Sequence, residues 1–324
     1  MISVNLLIDG NYMLYRSVFI LHKLRTLYGD LETLLLNEYN NISNAYPFHV
    51  IYFISDSKKS WRKSYLSYYK GKRKREENID WEFVFDTFET FKEKIKTRHN
   101  CLLYQIDPFE GDDIIAHIVN ESNKEGISNL IVSNDGDLHQ LLKFSITDNY
   151  INLLYNHKFQ DEKLYVPKNY SIFLKHVEDT TEGDIFDLND DIDFINYFDK
   201  ITSKAKIVNI DKEISYFKKI VAGDIGDNIL SVIKFTKDTK GIGDKGAESV
   251  YAMYKQKFPG EIDFDSDEFV MNLSNIISIY KKNKEIDFKE KVEENIKLSR
   301  KLTRLDGIYL PEGYHQLLYD SIKI

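Results

Sequence analysis

Cysteine is nearly missing from this chain: Cys101 is alone among 324 residues, so no internal disulfide can form. In "NCLLYQI" it reads as a small apolar residue of a buried strand, and that usage fits a reducing compartment. Long apolar runs are missing too. Nowhere do eighteen apolar residues follow one another, and "MISVNLLIDG" lacks a basic n-region, so neither a membrane span nor a secretory signal is expected. There is no internal repeat and no long low-complexity tract. The eight histidines show no His-Glu-x-x-His or triad spacing, and Ser133 lacks the glycines of a nucleophile elbow, which argues against acyl-transfer chemistry. With 42% hydrophobic residues, what remains is a globular chain of one large domain or two smaller ones. A cytoplasmic location is expected.

The formal net charge of −8 argues at first against a polyanionic partner, because phosphate contacts need Lys and Arg. The average hides a polarised chain. Between Lys58 and Arg75, "KKSWRKSYLSYYKGKRKR" holds nine Lys or Arg and no acid, with Trp61, Tyr65, Tyr68 and Tyr69 interleaved. Negative charge collects elsewhere, notably in "EDTTEGDIFDLNDDIDF" at 178–194. A basic stretch interleaved with aromatics suits single-stranded nucleic acid, since rings stack on bases while cations track the backbone. Read alone, it is equally a solvated charged helix.

Apolar, β-branched runs alternate with helix-length periodic segments. "VNLLI" (4–8), "VIYFI" (50–54), "CLLYQI" (101–106) and "NLIVS" (129–133) read as strands, and the stretches between them as helices. This alternation predicts an α/β fold, with a mostly parallel central sheet flanked by helices. The expected organisation is an α/β core over 1–177 that carries a basic arch or loop at about 57–80. An acidic insertion or linker at 178–210 and a helical region at 211–324 follow.

Each of the four runs is followed at once by carboxylates: Asp9; Asp56; Glu110, Asp112 and Asp113; Asp135 and Asp137. Parallel strands share one carboxyl edge, where ligands bind in open sheets, so these acids should converge. In "FEGDDIIAHI" alone, helix capping accounts for the acids as well as a metal site does. Convergence decides between them, because several ionised carboxylates in one crevice repel unless cations or protons neutralise them. An all-oxygen set without His or Cys suits Mg²⁺ or Mn²⁺, and seven acids exceed one ion's needs, which suggests two.

Downstream, "IVAGDIGDNI" places Asp224 and Asp227 three apart, a spacing that puts both on one face of a helix or turn. Alone it reads as a solvated turn. "KGIGDKGAESVYAMY" then offers a Gly-x-Gly turn at Gly241 and Gly243, flanked by Lys240 and Lys245, that could present backbone N–H groups to a phosphate.

In order and spacing these blocks resemble the structure-specific 5′ nucleases: flap endonucleases, the 5′-exonuclease domains of bacterial DNA polymerases, and bacteriophage 5′ exonucleases and RNases H. "LLIDGNYMLYRS" resembles the opening block, with Asp9 as a ligand and Arg16 as a basic residue. "FISDSKKSWRKSYLSYYKGKR" resembles the second, with ligand Asp56 and with Tyr69, Lys70 and Arg73 near the scissile phosphate. "FEGDDIIAHI", "IVSNDGDLHQLL" and "AGDIGDNI" resemble the third to fifth. The resemblance implies a PIN-like nuclease core and a helical arch or loop that contributes Trp61, Arg62 and Tyr65. It also implies a C-terminal region of helix-hairpin-helix type, with DNA contacts from Lys240, Gly241, Gly243 and Lys245. The family's hairpin K⁺ would sit there, although "ILSVIKFTKDT" (229–239) intervenes in this chain.

Its size and independence look most like the bacteriophage members. The implied activity is two-metal hydrolysis of phosphodiesters near a free 5′ end. The metals would sit on Asp9, Asp56, Glu110, Asp112, Asp113, Asp135, Asp137, Asp224 and Asp227, with Lys70, Arg73 and Asp135 central to catalysis. Implied partners are DNA with a 5′ flap, nick or free end, RNA–DNA hybrids, and replication proteins such as a single-strand-binding protein or clamp. A monomer without membrane association is expected. The alternatives are a PIN-like endoribonuclease and a catalytically silent nucleic-acid-binding relative.

Overall fold

The four β-branched runs form strands in a computed structural model that describes all residues except 1–2, 74, 158–160, 182–187, 236–238, 284, 306, 308 and 323–324. In chain order the first elements are β1 (Val4–Asp9), α1 (Gly10–Leu24), α2 (Leu27–Ser43), β2 (Ile51–Ile54), α3 (Trp81–Lys96), β3 (Cys101–Tyr104), α4 (Gly111–Lys124) and β4 (Ser128–Val132). β5 (Phe144–Ser145), β6 (Tyr150–Asn156), β7 (Lys163–Pro167), α5 (Tyr170–Thr181), α6 (Leu188–Thr202) and β8 (Lys206–Ile210) follow. The sheet order is β3-β2-β1-β4-β6-β7-β8, with β5 paired to β6. β1 to β4 and β6 run parallel, β7 runs against β6, and β8 is parallel to β7. The expected α/β core with a mostly parallel sheet is therefore present.

β1 is central and almost wholly buried, which is why it is an unbroken apolar run. Its register sets Asp9 opposite Ile54 and Ile8 opposite Val132, so the strand ends that carry the acids lie level. Directly after Asp9, a side chain at Gly10 would meet the Phe53 ring at 2.5 Å and the Ile54 carbonyl at 2.9 Å. Only glycine lets α1 start this close to β2. Phe53 itself packs among Tyr39, Phe88 and Phe91, and truncating such a ring typically costs about 3–5 kcal/mol.

Contacts divide the chain into two compact units, one of 1–60, 76–210 and 310–324, the other of 61–75 and 211–309. The second contains α7 (Lys212–Ala222), α8 (Asp244–Lys257), α9 (Asp267–Lys281) and α10 (Ile286–Thr303), around a core that includes Phe217, Ile220, Val250, Phe269, Leu273 and Ile296. The last helix, α11 (Tyr314–Ser321), belongs to the α/β unit, with Tyr314 against Phe109 and Tyr319 against His117.

Two boundaries differ from the sequence expectation. The stretch 178–210 is not a linker in its described part, because Phe194, Phe198 and Ile201 of α6 enter the α/β core and β8 extends the sheet; residues 182–187 lie outside the described residues. The basic stretch 61–75 groups with the helical unit instead of the α/β core and takes the loop form of the expected arch or loop, with one 3-10 turn at Trp61–Ser64; Lys74 lies outside the described residues. No helix among the described residues is long and apolar enough to cross a membrane.

Candidate active site

The acids that follow β1, β2, β3 and β4 meet at the carboxyl edge of the sheet. Asp9 caps α1, its Oδ1 accepting the Tyr12 N–H at 2.9 Å while Oδ2 accepts the Ser133 hydroxyl at 2.7 Å. Burial, with added repulsion from Asp56 and Asp112, pushes its carboxyl up to about 7 even though those two donors pull it down. Asp56 Oδ1 accepts the Gly111 N–H at 2.7 Å and Oδ2 accepts Asn11 Nδ2 at 3.2 Å. The absence of a side chain at Gly111 suits this bond, since a Cβ there would lie 3.2 Å from Asp56 Oδ1.

The three acids around 110–113 divide their work. Glu110 and Asp113, both buried, close a reciprocal capping box at the start of α4, with Asp113 Oδ2 accepting the Glu110 N–H at 3.0 Å. Asp112 contributes an oxygen to a group with Asp135 and Asp137 whose three oxygens lie within 4.8 Å of one another. Asp135 also caps the next 3-10 turn through the Asp137 N–H, at 2.8 Å. Capping and the carboxylate cluster therefore coexist in this stretch.

The donor chemistry fits a divalent cation. Hard oxygens from separate loops approach closely, and a neighbouring carboxyl is driven toward protonation by burial and like charge. A cation such as Mg²⁺ relieves that repulsion and prefers such ligands. Asp112, Asp135 and Asp137 bring oxygens close enough to share such an ion, and Asp56 and Asp112 are near enough to Asp9 to repel its charge.

The helical unit carries its own acidic motif. Asp224 and Asp227 share one tight turn, closed by paired backbone bonds between Asp224 and Ile229, with Asp224 Oδ1 accepting the amides of Gly226 at 2.7 Å and Asp227 at 3.3 Å. Asp224 is ion-paired with Lys219. Burial would raise its carboxyl, but that ammonium and the two amides outweigh burial and hold it below the usual range. Asp227, also buried, accepts the Tyr69 hydroxyl at 2.9 Å and pairs with Arg73. Tyr68, Lys70 and Arg73 are stitched to the same turn, the Asn228 amide donating to the Tyr68 carbonyl, the Lys70 N–H to the Asp227 carbonyl, and Arg73 Nε to the Gly226 carbonyl.

Four expected nucleic-acid contacts take other roles. Trp61, Arg62 and Tyr69 are 4%, 1% and 3% exposed, so none presents a surface to a base or phosphate. Arg62 donates instead to the Leu302 carbonyl at 2.8 Å, and Tyr69 serves Asp227. Arg16 is largely buried and ion-paired with Glu38 of α2. Tyr65 and Tyr68 are the exposed aromatics of the basic stretch, with the Lys301 ammonium 5.0 Å from the Tyr65 ring.

At the Gly-x-Gly turn, a side chain on Gly241 would strike Ser231 Cβ at 2.8 Å, and the Ile242 N–H donates to Ser231 Oγ at 2.9 Å. Gly243, by contrast, caps α8 with open space at its Cβ position, and Lys240 and Lys245 are exposed beside it. Sequence reasoning missed Asn11, Ser133 and Lys219, the uncharged or cationic partners of the acids, and Asn228, which ties the acidic turn to the Tyr68 carbonyl. Their one signal was adjacency to the motifs.

An open α/β sheet with a carboxylate cluster at its carboxyl edge is a crevice whose chemistry fits divalent cations. The chain belongs to the 5′-3′ exonuclease family: the model of its N-terminal, resolvase-like domain matches residues 4–170, just over half of the chain. It is 37% identical over 87 residues to ribonuclease H of Enterobacteria phage T4, a match covering 26% of this chain and 28% of that protein. It is 25% identical over 290 residues to a 5′-3′ exonuclease of Mycoplasmopsis pulmonis, covering 88% and 76% respectively. The chain thus spans little more than a quarter of the phage relative and about three quarters of the bacterial one. Its fold is similar to that of the bacteriophage T5 5′-exonuclease with bound zinc, at a TM-score of 0.61, 17% identity and 98% of each chain. It is also similar to a T5 flap endonuclease complexed with DNA and metal ions, at a TM-score of 0.55 and 17% identity over 98% of this chain and 97% of that one.

Proposed function

We propose that this chain is a 5′ nuclease that hydrolyses phosphodiester bonds near the 5′ ends of DNA and RNA–DNA substrates with the help of Mg²⁺ or Mn²⁺. The observation that carries this reading is the close approach of the Asp112, Asp135 and Asp137 oxygens at the carboxyl edge of the sheet. The names of its relatives, a ribonuclease H and a 5′-3′ exonuclease, and the DNA-bound T5 neighbour support the substrate class. Hydrolysis forms a bond from phosphorus to a water oxygen, breaks the bond to O3′, and leaves 5′-phosphate and 3′-hydroxyl ends.

Two divalent cations at this edge would supply charge stabilisation for the phosphate and acidify the attacking water. Asp9, Asp56, Asp112, Asp135 and Asp137 would bind them, with Glu110 and Asp113 holding the start of α4 in place. In the helical unit, Tyr65 and Tyr68 would stack on unpaired bases, Lys70 would contact the phosphates of the bound strand, and Gly243, Lys240 and Lys245 would meet duplex backbone. Asp224 and Asp227, whose oxygens also lie close together, would offer further oxygens to a cation besides ordering the turn beside Lys70 and Arg73. DNA with a 5′ flap, a nick or a free end is the proposed substrate, with replication proteins as its surroundings.

The test uses 5′-labelled flap, nicked, blunt and RNA–DNA substrates with Mg²⁺ or with EDTA. Cleavage in Mg²⁺ that is abolished by EDTA and restored by added cation is the expected result. Cleavage that persists in EDTA, or no cleavage of any substrate in either cation, overturns the reading.

A further inference from the structure

We infer that Asn11 and Ser133 are positioning residues of the carboxylate centre, two uncharged clips that fix the acids of three separate strand ends in one arrangement. The inference rests on the reading of that edge as a divalent-cation site. Ser133 is wholly buried, and a buried hydroxyl must spend its one proton and accept in return. Both of its partners here belong to the acidic cluster. Its proton goes to Asp9 Oδ2 at 2.7 Å, and its oxygen accepts the Asp135 N–H at 3.1 Å. The end of β1 is thereby tied to the loop after β4. Asn11 makes the matching tie between α1 and the loop after β2: its Oδ1 accepts the Asp56 N–H at 2.9 Å and its Nδ2 donates to Asp56 Oδ2 at 3.2 Å.

The consequence is that both oxygens of Asp9 and both of Asp56 have a protein donor. A carboxylate held at both oxygens cannot rotate away from its like-charged neighbours, yet each oxygen keeps a lone pair for a cation. Charge is the reason these clips are Ser and Asn. A lysine in their place would neutralise the acids itself, as Lys219 does for Asp224, and would compete with the metal. Groups behind metal ligands that fix their orientation are typically worth about 10–100-fold in affinity.

The test measures cation affinity of the protein alone, by calorimetry with Mg²⁺ and by Mn²⁺ electron paramagnetic resonance, with melting in EDTA as the folding control. Ser133→Ala and Asn11→Ala are each expected to weaken cation binding by about tenfold or more. Ser133→Thr, which keeps the hydroxyl, should restore affinity to within about threefold of wild type. Folded Ser133→Ala and Asn11→Ala proteins that bind cation as wild type does overturn the inference and leave the metal centre standing. Wild type that binds no cation overturns the metal reading itself. Should Ser133→Ala not fold, Asn11→Ala and Ser133→Thr decide: unchanged affinity in the first, or a loss in the second as large as that of Asn11→Ala, overturns the inference.

Discussion

Asp9 in the α/β unit and Asp224 in the helical unit both accept backbone amides, yet their environments drive them in opposite directions. Burial with carboxylate neighbours pushes Asp9 up to about 7, whereas Lys219 and two amides hold Asp224 down against the cost of its burial. The two groups do not differ in crowding. Asp112, Asp135 and Asp137 bring their oxygens together, and so do Asp224 and Asp227, with Lys219 beside Asp224 and with Arg73 and the Tyr69 hydroxyl beside Asp227. An acid with a cation of its own chain beside it carries less unbalanced charge. Acids gathered against one another hold a charge imbalance that a metal can relieve.

The largest expected effect tests the crowded group. Asp135→Asn removes one charge from the cluster and leaves the basic stretch unaltered in sequence, so cleavage should fall by at least about a hundredfold, some 2.7 kcal/mol of transition-state stabilisation. Substrate affinity, measured with the cation replaced by Ca²⁺, should stay within about threefold of wild type. Single-turnover rates and fluorescence anisotropy check the two halves. Turnover above about a tenth of wild type would break the contrast between the two groups of acids.

Protonation sharpens the same contrast without any substrate. In EDTA, native Asp9 binds its proton more tightly than the unfolded chain does, so between about pH 4 and pH 7 its contribution to stability falls as pH rises. Asparagine cannot ionise, its Oδ1 can still accept the Tyr12 amide, and its Nδ2 can donate to a rotated Ser133 hydroxyl. Asp9→Asn should therefore raise Tm in EDTA at pH 8 by roughly 2–4 °C, a gain that shrinks toward pH 5. In saturating Mg²⁺ the sign should reverse, because a cation-bound native state loses its ligand. A melting series over pH, with and without cation, reads both.

Asp224 should show the opposite slope. Its native carboxyl lies below its unfolded value, so its contribution is present above about pH 4 and is lost as pH falls through the native value. Lys219→Ala should lower stability near neutral pH by about 0.5–1 kcal/mol, since the pair is partly exposed, and the deficit should fade in acid. Equal deficits at pH 7 and pH 3 would mean that Lys219 acts by packing alone.

Much of the α/β core was legible because its signals are local. Strands β1 to β4 are short apolar runs, and a parallel sheet forces the residues after each strand to one edge, so Asp9, Asp56, Glu110, Asp112, Asp113, Asp135 and Asp137 group from order alone, although order does not tell that Glu110 and Asp113 close a capping box. What escaped depends on distant partners. Nothing around Arg62 tells that its guanidinium ends on the carbonyl of Leu302, so a buried anchor looked like a phosphate contact. Acidic composition likewise hid the spacing of Phe194, Phe198 and Ile201, which makes one face of α6 apolar. Ser133 carries no signal of its positioning role in the sequence, because its partners Asp9 and Asp135 meet it only once β1 and β4 pair.

The smallest expected effect asks whether the helical unit grips nucleic acid independently of the metal. Gly241 is held against Ser231 and tolerates no side chain, but Gly243 opens to free space at the start of α8. Gly243→Val should therefore fold normally while its side chain blocks close approach of a phosphate to the first amides of the helix. One such interaction at a helix terminus is worth about 0.7 kcal/mol, so the ratio of duplex to single-strand affinity should fall roughly threefold at a fixed salt concentration. Single-stranded substrates, for which Tyr65, Tyr68 and Lys70 are the proposed grip, should bind as before, and cation affinity should not move, since the substitution alters no carboxylate. An unchanged ratio in a folded variant would remove the Gly243 turn from the nucleic-acid surface. A weakened cation affinity would show instead that the division between crowded and paired acids is not as clean as Asp9 and Asp224 suggest.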